Sequence, residues 1–270
     1  MNKEIAEKIQ SVKDNLTIYK KNSLGIDKNG MWKGSEYSHI LPFDDRYENI
    51  INKGFRDDLK KLISQDALHF GFPHLNSSQA LALNLFGPLV LEGKLSIINN
   101  VLEENLFMKN NNLISNESEG KFELIEQANE GTNFDFYIQD KSNKYYFEVK
   151  YTENDFGKAK DDLNHQQKYS EFYEERLNDV VEIDRETFFK EYQLWRNIIY
   201  ARNGYVFFVL PNFRTDLIDK VNEAIKITND EIKKRVNVLI TDRLVDTCKG
   251  ENIFKKHYEE FEKKYLLFDN

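Results

Sequence analysis

The stretch of sequence that most constrains the fold is the aromatic-rich segment over residues 133–151. Two runs of aromatic and β-branched residues flank a polar cluster at residues 140–143, an arrangement typical of an antiparallel hairpin. A turn centred on Lys141 and Ser142 sets the register of this hairpin. The register places six hydrophobic residues on one face, in the pairs Phe136 with Phe147, Ile138 with Tyr145, and Phe134 with Val149.

On the other face the same register places Asp135 directly opposite Glu148, and Lys150 follows on that face two residues later. Directly paired strand residues have Cβ atoms about 4.5–5.5 Å apart, so two carboxylates there repel unless a cation lies between them. A divalent metal ion held by both acids would offset the repulsion. Asp135, Glu148 and Lys150 therefore form a candidate catalytic and metal-binding group.

The chemistry that suits this group is metal-assisted hydrolysis. Mg²⁺ or Mn²⁺ prefers oxygen ligands, can polarise a phosphodiester and lowers the pKa of a bound water. Lys150 could orient the nucleophile or stabilise the negative charge that develops in the transition state. The alternative is a hairpin with one solvated face, on which Asp135 and Lys150 are ordinary surface charges.

The pattern Glu-x-Lys alone is not informative, because it occurs five times in the chain, beginning at Glu92, Glu119, Glu148, Glu231 and Glu262. The copy at Glu148 is distinguished by the strand-forming run before it and by an aspartate on the partner strand. Context, rather than the three-residue pattern, selects this copy as the candidate site.

Hydrophobic periodicity and turn residues predict the helices, strands and loops outside the hairpin. Ser77 is a good N-cap for an apolar helix through Leu91, and Asp184 and Thr215 are N-caps of later helices. The pattern predicts a loop over residues 22–45 and strands over residues 122–126, 205–210 and 236–241. Helices are predicted over residues 1–22, 46–70, 95–106, 158–178, 184–202, 215–227 and 252–266.

This order of elements predicts an α/β fold with a mixed central sheet of about five strands flanked by helices. We expect one domain over residues 1–270, with a helical N-terminal extension over residues 1–75. An αβββαβ-type core covers residues 77–245, and a closing helix covers residues 250–270. If the turn before the hairpin has four residues, Glu126 falls opposite Asp135 as a third acid, although a solvated glutamate is the simpler interpretation.

Asp135 followed by Glu148-Val149-Lys150 resembles the motif of the PD-(D/E)xK nuclease superfamily, with Phe134 where that motif has proline. The runs SSQALALNLFGPL from Ser77, EVKYTENDFGKA from Glu148 and YQLWRN from Tyr192 resemble a restriction-endonuclease-like branch of it. The resemblance covers roughly residues 35–240. It implies a restriction-endonuclease-like fold and a metal-dependent nuclease, with a DNA endonuclease of restriction or defence type as the expected activity.

The resemblance also implies roles for particular residues. Asp135 and Glu148 would hold Mg²⁺ or Mn²⁺, with the Val149 carbonyl as a further ligand, and Lys150 would align or activate the attacking water. A helix after the third strand packs near the site in this superfamily, which makes Gln193 a candidate for positioning the lysine, the water or a phosphate. A homodimer is a further expectation from the resemblance.

In the superfamily, a helix before the sheet often lends one polar residue to the site. Gln79, Asn84 and Glu92 are the candidates, and only the resemblance favours Gln79. The alternatives are a capping role for Gln79 and a satisfied core amide for Asn84.

The acidic balance of the chain favours a second hypothesis. The net charge is −8 and the isoelectric point about 5.3, whereas a nucleic-acid-binding domain is expected to carry a basic footprint. A catalytically inactive protein of the same fold, which binds nucleic acid or a protein partner, would suit that charge. A third hypothesis, an unrelated α/β interaction protein, predicts that Asp135 and Glu148 point into bulk solvent.

Other classes of protein lack support in the sequence. The single cysteine, Cys248, forbids an intrachain disulfide and fits a cytoplasmic location. No run approaches the length of a membrane span, so no membrane association is expected. The fingerprints of P-loop, dinucleotide-binding and α/β-hydrolase sites are missing, and the five histidines and one cysteine show no zinc-site spacing.

Overall fold

A computed structural model describes residues 2–102, 114–141 and 143–267 of the chain. Four predicted features fall partly outside these ranges. They are the first residue of the helix predicted over residues 1–22, Ser142 of the hairpin turn, the last residues of the helix predicted over residues 95–106, and the last three residues of the closing helix predicted over residues 250–270.

The described residues contain seven strands and twelve α-helices. The strands are β1 Gly30–Trp32, β2 Ser35–Tyr37, β3 Glu119–Ile125, β4 Asn133–Asp140, β5 Asn143–Val149, β6 Tyr205–Leu210 and β7 Val236–Ile240. The helices before the hairpin are α1 Lys3–Asn22, α2 Arg56–Leu62, α3 Ser78–Leu91 and α4 Ile98–Leu102. Those after it are α5 Leu163–Lys168, α6 Glu174–Asn178, α7 Arg185–Lys190, α8 Tyr192–Ile198, α9 Thr215–Ile227, α10 Asp230–Lys233, α11 Thr241–Lys249 and α12 Lys255–Tyr265.

The main sheet has the order β3-β4-β5-β6-β7. β3 pairs with β4 and β4 with β5 in antiparallel fashion, whereas β5 with β6 and β6 with β7 are parallel. The prediction of a mixed sheet of about five strands is confirmed. Because β5, β6 and β7 are parallel, the loops that follow them leave the sheet at one edge.

Helices cover both faces of this sheet. One buried cluster includes Phe136, Phe147 and Val149 together with residues of α3, α11 and α12. A second cluster includes the alternate strand residues Tyr146 and Phe208 together with residues of α7, α8 and α9. The alternation of side chains along a strand explains why neighbouring residues enter different clusters. β5 and β6 are therefore hydrophobic on both sides, as expected for central strands.

Helix α3 is the main support of the first cluster. Ser77 is its N-cap, as predicted, and accepts a hydrogen bond from the amide of Ala80 at 3.4 Å. The helix is apolar around most of its circumference because it is buried from Gln79 to Leu89. Phe86 stacks on Phe136 with 4.4 Å between ring centroids, which fixes α3 against the hairpin.

The hairpin register is confirmed for four of the six predicted hydrophobic partners. Phe136 pairs with Phe147 and Ile138 with Tyr145, and both pairs lie in the first cluster. The prediction for Phe134 is wrong, because this residue packs in the second cluster, on Tyr146 and Tyr200 of the opposite face. The β4–β5 pairing extends only as far as Phe136, so Phe134 has left the alternation of the ladder.

The cause lies in the neighbouring strand. Glu123 of β3 has φ +54°, a left-handed conformation that costs energy for a residue with a side chain. β3 pairs with β4 on either side of it, through Phe122 with Phe136 and Leu124 with Phe134. The irregularity at Glu123 and Asp135 therefore coincides with the change of face, and no alternation rule could have located it.

Two predicted long helices are interrupted. The segment over residues 46–70 contains only the short helix α2 between 3₁₀ turns, and the segment over residues 184–202 breaks between α7 and α8. The break lies at Glu191, whose φ and ψ of −128° and 44° are not helical. Asp184 is the N-cap of α7 as predicted, whereas Arg214 rather than Thr215 holds the N-cap position of α9.

The loop predicted over residues 22–45 contains the small hairpin of β1 and β2. Gly30 of β1 has no room for a side chain, because an added Cβ would lie 2.2 Å from the carbonyl oxygen of Leu41. Within the described ranges, no single helix is long and apolar enough to cross a membrane. The bent pair α3 and α4 reaches that length and composition only when the two helices are taken together across a 118° bend.

The packing of Phe86 gives a first prediction. We expect Phe86→Ala to lower the free energy of unfolding by about 3–5 kcal/mol, because it removes a fully buried ring that contacts Phe136 and Phe147. Urea denaturation followed by circular dichroism measures this loss. Ile18→Ala, at a helical position that is 56% exposed, is the control and should change stability by less than about 0.5 kcal/mol. Equal effects of the two substitutions would contradict the assignment of Phe86 to the core.

Candidate active site

A buried ion pair at the end of β5 is the centre of the candidate site. Lys150 Nζ lies 2.7 Å from Glu148 Oε1, and both side chains are almost completely buried. Gln193 Nε2 donates a second hydrogen bond to the same oxygen, also at 2.7 Å. The other oxygen, Glu148 Oε2, is buried and has no hydrogen-bond partner. One half of the carboxylate is therefore satisfied by the protein, and the other half is free to bind a ligand.

Asp135 approaches Glu148 from the neighbouring strand. Its carboxylate accepts a hydrogen bond from the backbone amide of Val149 at 2.7 Å. Burial raises the pKa of Asp135 well above its usual range, and the charge of Glu148 raises it further, whereas Lys150 lowers it. The two acids lie close enough to repel each other, although the predicted direct strand pairing of Asp135 with Glu148 is absent from the ladder.

The third acid of this region is Glu123, which was not predicted from the sequence. Burial raises the pKa of Glu123, the amides of Gln79 and Asn133 lower it by hydrogen bonding, and Glu148 raises it. Glu123 in turn contributes to the raised pKa of Asp135. Glu123 faces Asp135 across the β3–β4 pair, between two regular pairs of the ladder.

Glu126, which would be a third acid only if the turn before β4 had four residues, does not face Asp135. Glu126 forms an ion pair with Lys144 and accepts a hydrogen bond from the hydroxyl group of Tyr146 at 2.9 Å. The connection between β3 and β4 covers residues 126–132 and is longer than the four-residue turn that was assumed. A different turn length shifts the register, which brings Glu123 rather than Glu126 to Asp135.

The ammonium group of Lys150 bonds Glu148 and is stabilised by the charges of two further acids. Burial alone would lower the pKa of Lys150, but Glu148, Glu153 and Asp135 together raise it above its usual value. Lys150 therefore keeps its positive charge at neutral pH. Its backbone amide donates to the carbonyl oxygen of Val209 at 3.0 Å, which continues the β5–β6 pairing beyond the last strand residue.

The break between α7 and α8 places Gln193. Because Glu191 leaves the helical conformation, the amide of Gln193 is free to donate to the carbonyl oxygen of Phe156 at 3.1 Å. This bond ties the start of α8 to the loop after β5. The side chain of Gln193 then reaches Glu148, so the structure brings this sequence-predicted residue to the site.

Further contacts fix the loop that follows Lys150. Arg214 is fully buried, and its guanidinium donates to the carbonyl oxygen of Tyr151 at 3.0 Å while pairing with Asp216. Lys220 pairs with Asp155 at 2.8 Å in the same loop. These groups hold the backbone on which Lys150 is placed, and they act as an outer layer around the site.

The three first-helix candidates lie in different surroundings. Gln79 bonds the backbone of Ala67 and His69 and also bonds Glu123, so it reaches the acids indirectly. Asn84 is a core amide that bonds the amide of Ile51, the carbonyl oxygen of Asn49 and the hydroxyl group of Tyr265. Glu92 is the C-cap residue at the far end of α3.

The donor set fits a hard cation with an incomplete protein cage. Asp135 and Glu148 offer carboxylate oxygens, and the Val149 carbonyl belongs to the peptide bond that joins Val149 to Lys150. Among the residues that the structure describes, no group of three or more His, Cys, Asp or Glu side chains is arranged to hold a metal. Mg²⁺ is commonly held by one or two carboxylates and keeps several waters, so the free Glu148 Oε2 beside Asp135 is compatible with it.

A mixed sheet flanked by helices, with an acid pair and a lysine at the end of a central strand, defines a restriction-endonuclease-like protein. The chain matches the family described as "Restriction Endonuclease associating with ARP" over residues 13–266, and it belongs to that family. No curated protein and no solved structure matches the chain.

The opposed environments of the two acids give a second prediction. Because the native state holds the proton of Asp135 more tightly than the unfolded chain does, the unfolding free energy falls as the pH rises toward the native pKa. Asp135→Asn removes the repulsion between the negative charges of Asp135 and Glu148 and retains an oxygen acceptor for the Val149 amide. We expect it to stabilise the metal-free protein at pH 7 by about 0.5–2 kcal/mol.

Glu148→Gln should have the opposite effect, a loss of about 3 kcal/mol, because it removes the closest partner of the buried Lys150 charge. Chemical denaturation in EDTA measures both changes. Asp57→Asn, at a mostly exposed surface pair, serves as the control and should stay within about 0.5 kcal/mol. Stabilisation by Glu148→Gln, or strong destabilisation by Asp135→Asn, would contradict this description of the electrostatics.

Proposed function

We propose that the chain is a nuclease that uses Mg²⁺ or Mn²⁺ to hydrolyse phosphodiester bonds, with DNA as the substrate. The observation that carries the proposal is the buried, unpartnered Glu148 Oε2. The other oxygen of this carboxylate is held by Lys150 and Gln193, and its charge acts on Asp135. A buried carboxylate oxygen without a partner is costly unless the group has a ligand to bind. The family description, which names restriction endonucleases, supports the same activity.

Each residue has a distinct proposed role. Asp135, Glu148 and the Val149 carbonyl would hold the metal ion, which supplies Lewis-acid polarisation of the phosphate and a more acidic bound water. Lys150 keeps its proton at neutral pH, so it serves as a cation that orients the water or phosphate and stabilises developing negative charge. It is not the general base of this proposal.

Gln193 and Gln79 act indirectly in the same proposal, because each of them bonds an acidic residue of the site. Gln193 holds Glu148 Oε1 and thereby directs Oε2 toward the metal position. Gln79 holds Glu123, whose negative charge adds to the field at Asp135. Both are positioning residues rather than catalytic residues.

The role of Lys150 gives a third prediction. Purified protein should cut plasmid DNA in Mg²⁺ or Mn²⁺ and stop in EDTA, and Lys150→Met should lower the cleavage rate at least about 100-fold. Methionine retains much of the side-chain length without the charge. The matched control is Lys144→Met, which removes a lysine from the other end of the same strand and should change the rate less than about twofold.

Circular dichroism and the melting temperature establish that both variants are folded. A folded Lys150→Met variant that cuts at the normal rate would remove the lysine from the mechanism. Cleavage by the unaltered protein that persists in EDTA would contradict the metal requirement.

Gln193 gives a fourth prediction. Gln193→Ala should weaken Mn²⁺ binding about 10- to 100-fold, because Glu148 loses the partner that orients it. Isothermal titration with Mn²⁺ measures the affinity directly, so the result does not depend on turnover. Gln166→Ala, which removes a glutamine bonded to Asp161 on the surface of α5, is the control. Equal affinities of the two variants would exclude the positioning role.

A second candidate function is retained because of two observations. The chain carries a net charge of −8, and Lys150 is already paired within the protein. Both suit a catalytically inactive member of the fold that binds nucleic acid or a protein partner, and the words "associating with ARP" in the family description are in line with a protein partner. Absence of any thermal shift with Mn²⁺ in the unaltered protein would favour this function.

A further inference from the structure

A cleft beside the candidate active site is not used by the proposed chemistry. Its volume is about 340 Å³, which is large enough for a nucleobase, and its walls come from two parts of the chain. Trp32, His69 and His74 belong to the N-terminal segment, and Thr152 belongs to the loop that follows Lys150. Asn76 Nδ2 donates to Thr152 Oγ1 at 2.7 Å, which joins the two walls. We call this space the Trp32 cleft.

The cleft has a supported aromatic surface. The Trp32 ring is partly exposed. Its centroid lies 4.5 Å from that of the His74 ring, in an edge-on contact, and 5.1 Å from that of the Phe70 ring. Phe70 is 75% exposed and contacts the Trp32 ring, although it does not line the cleft. Aromatic side chains held in this way form platforms on which nucleobases stack.

Two residues that line the cleft each carry a polar atom without a hydrogen-bond partner. His74 Nε2 and Asn76 Oδ1 are both buried and make no hydrogen bond to the protein. Burial lowers the pKa of His74, so its imidazole is neutral at pH 7 and the orphan nitrogen is a neutral hydrogen-bonding group. An unpartnered nitrogen and an unpartnered carbonyl oxygen in one cleft suit a ligand edge that carries donors and acceptors.

The charges around the cleft favour a neutral ligand over a phosphate. None of the described residues that line it is a lysine or an arginine. Its one acidic group, Glu153, already accepts the Tyr151 amide at 2.7 Å and contributes to the field at Lys150. A flat, neutral group with a polar edge fits this environment better than an anion does.

We propose that the Trp32 cleft binds one unpaired nucleobase of the nucleic-acid substrate, stacked on Trp32 and hydrogen-bonded at its edge by His74 and Asn76. The proposal rests on the proposed nuclease function, because Thr152, which lines the cleft, follows the proposed catalytic Lys150 by two residues. The base could come from a single strand or be turned out of a duplex. In either case the substrate class is DNA with an unpaired nucleotide at the cleavage site.

Tryptophan fluorescence tests this proposal without any cleavage. The chain has two tryptophans, and Trp195 is buried with an unpartnered ring nitrogen, so Trp195→Phe costs no hydrogen bond and leaves Trp32 as the single emitter. In EDTA, we expect quenching of Trp32 by a single-stranded 12-mer or by a duplex with a one-base bulge. A fully paired duplex with GC-rich ends should quench much less.

Quenching by the single strand alone, or by the bulged duplex as well, would support the proposal and identify the source of the base. Quenching by neither probe, or equal quenching by the paired duplex, would overturn it. Because no substitution of Trp32 is needed, this result does not depend on the folding of a Trp32 variant.

Affinity measurements provide the second test. By anisotropy of a labelled single strand, Trp32→Ala should bind about tenfold more weakly or worse, and His74→Ala and Asn76→Ala should each lose several-fold. The matched control is Tyr37→Ala, which removes a half-exposed aromatic ring from β2 of the same hairpin but outside the cleft. Tyr37→Ala should bind within twofold of the parent protein, and an equal loss in Trp32→Ala and Tyr37→Ala would overturn the proposal.

The two proposals fail separately. Metal-dependent cleavage without quenching of Trp32 would overturn the base-binding cleft and leave the nuclease function intact. Quenching of Trp32 without cleavage in any divalent metal would overturn the nuclease function and support base binding by an inactive member of the fold.

Discussion

The repulsion between carboxylates at the end of β5 is the interaction on which the rest of the site depends. Glu148 is 2% exposed, and a buried negative charge is tolerated only when it is paired or hydrogen-bonded. Lys150 and Gln193 satisfy one of its oxygens, whereas Asp135 and Glu123 add negative charge nearby. The metal-free site is thus held in an arrangement that an added cation would stabilise, at a cost in stability typical of functional sites.

The fold supplies this arrangement through three separate devices. The parallel pairing of β5 and β6 brings the Lys150 backbone to Val209 at the sheet edge. The break at Glu191 turns the start of α8 toward the loop after β5, so Gln193 can reach Glu148. The buried guanidinium of Arg214 fixes the peptide after Lys150. Each of these contacts joins the hairpin to a residue outside it, so the acids and lysine alone would not define the site.

Much of the fold could be predicted because β strands and buried helices carry strong periodic signals. The alternation in the hairpin correctly paired Phe136 with Phe147, and Ser77 correctly marked the start of α3. Local irregularities carry no such signal. The left-handed Glu123 lies where Phe134 changes face and where Asp135 accepts an amide hydrogen bond instead of pairing with Glu148.

Part of the candidate site was also beyond the reach of the sequence. Glu123 was missed because the acid that faces Asp135 depends on the length of the turn before β4, which no local pattern sets. The Trp32 cleft was missed for a different reason. One wall comes from residues 32–78 and the other from residues 152–154, and β1 lies in a segment whose glycines and proline indicated a loop. Gln193 was a candidate because of the resemblance, since a helix after the third strand packs near the site in that superfamily, and its side chain contacts Glu148.

The most direct test of the central claim is anomalous X-ray scattering from crystals soaked in Mn²⁺. We expect one strong peak between Glu148 and Asp135. The Mn²⁺ ion should lie about 2.1 Å from Glu148 Oε2 and from an Asp135 oxygen, with Lys150 still bound to Glu148 Oε1. An anomalous map with no peak at this position, while Mn²⁺ binds elsewhere on the protein, would contradict the account.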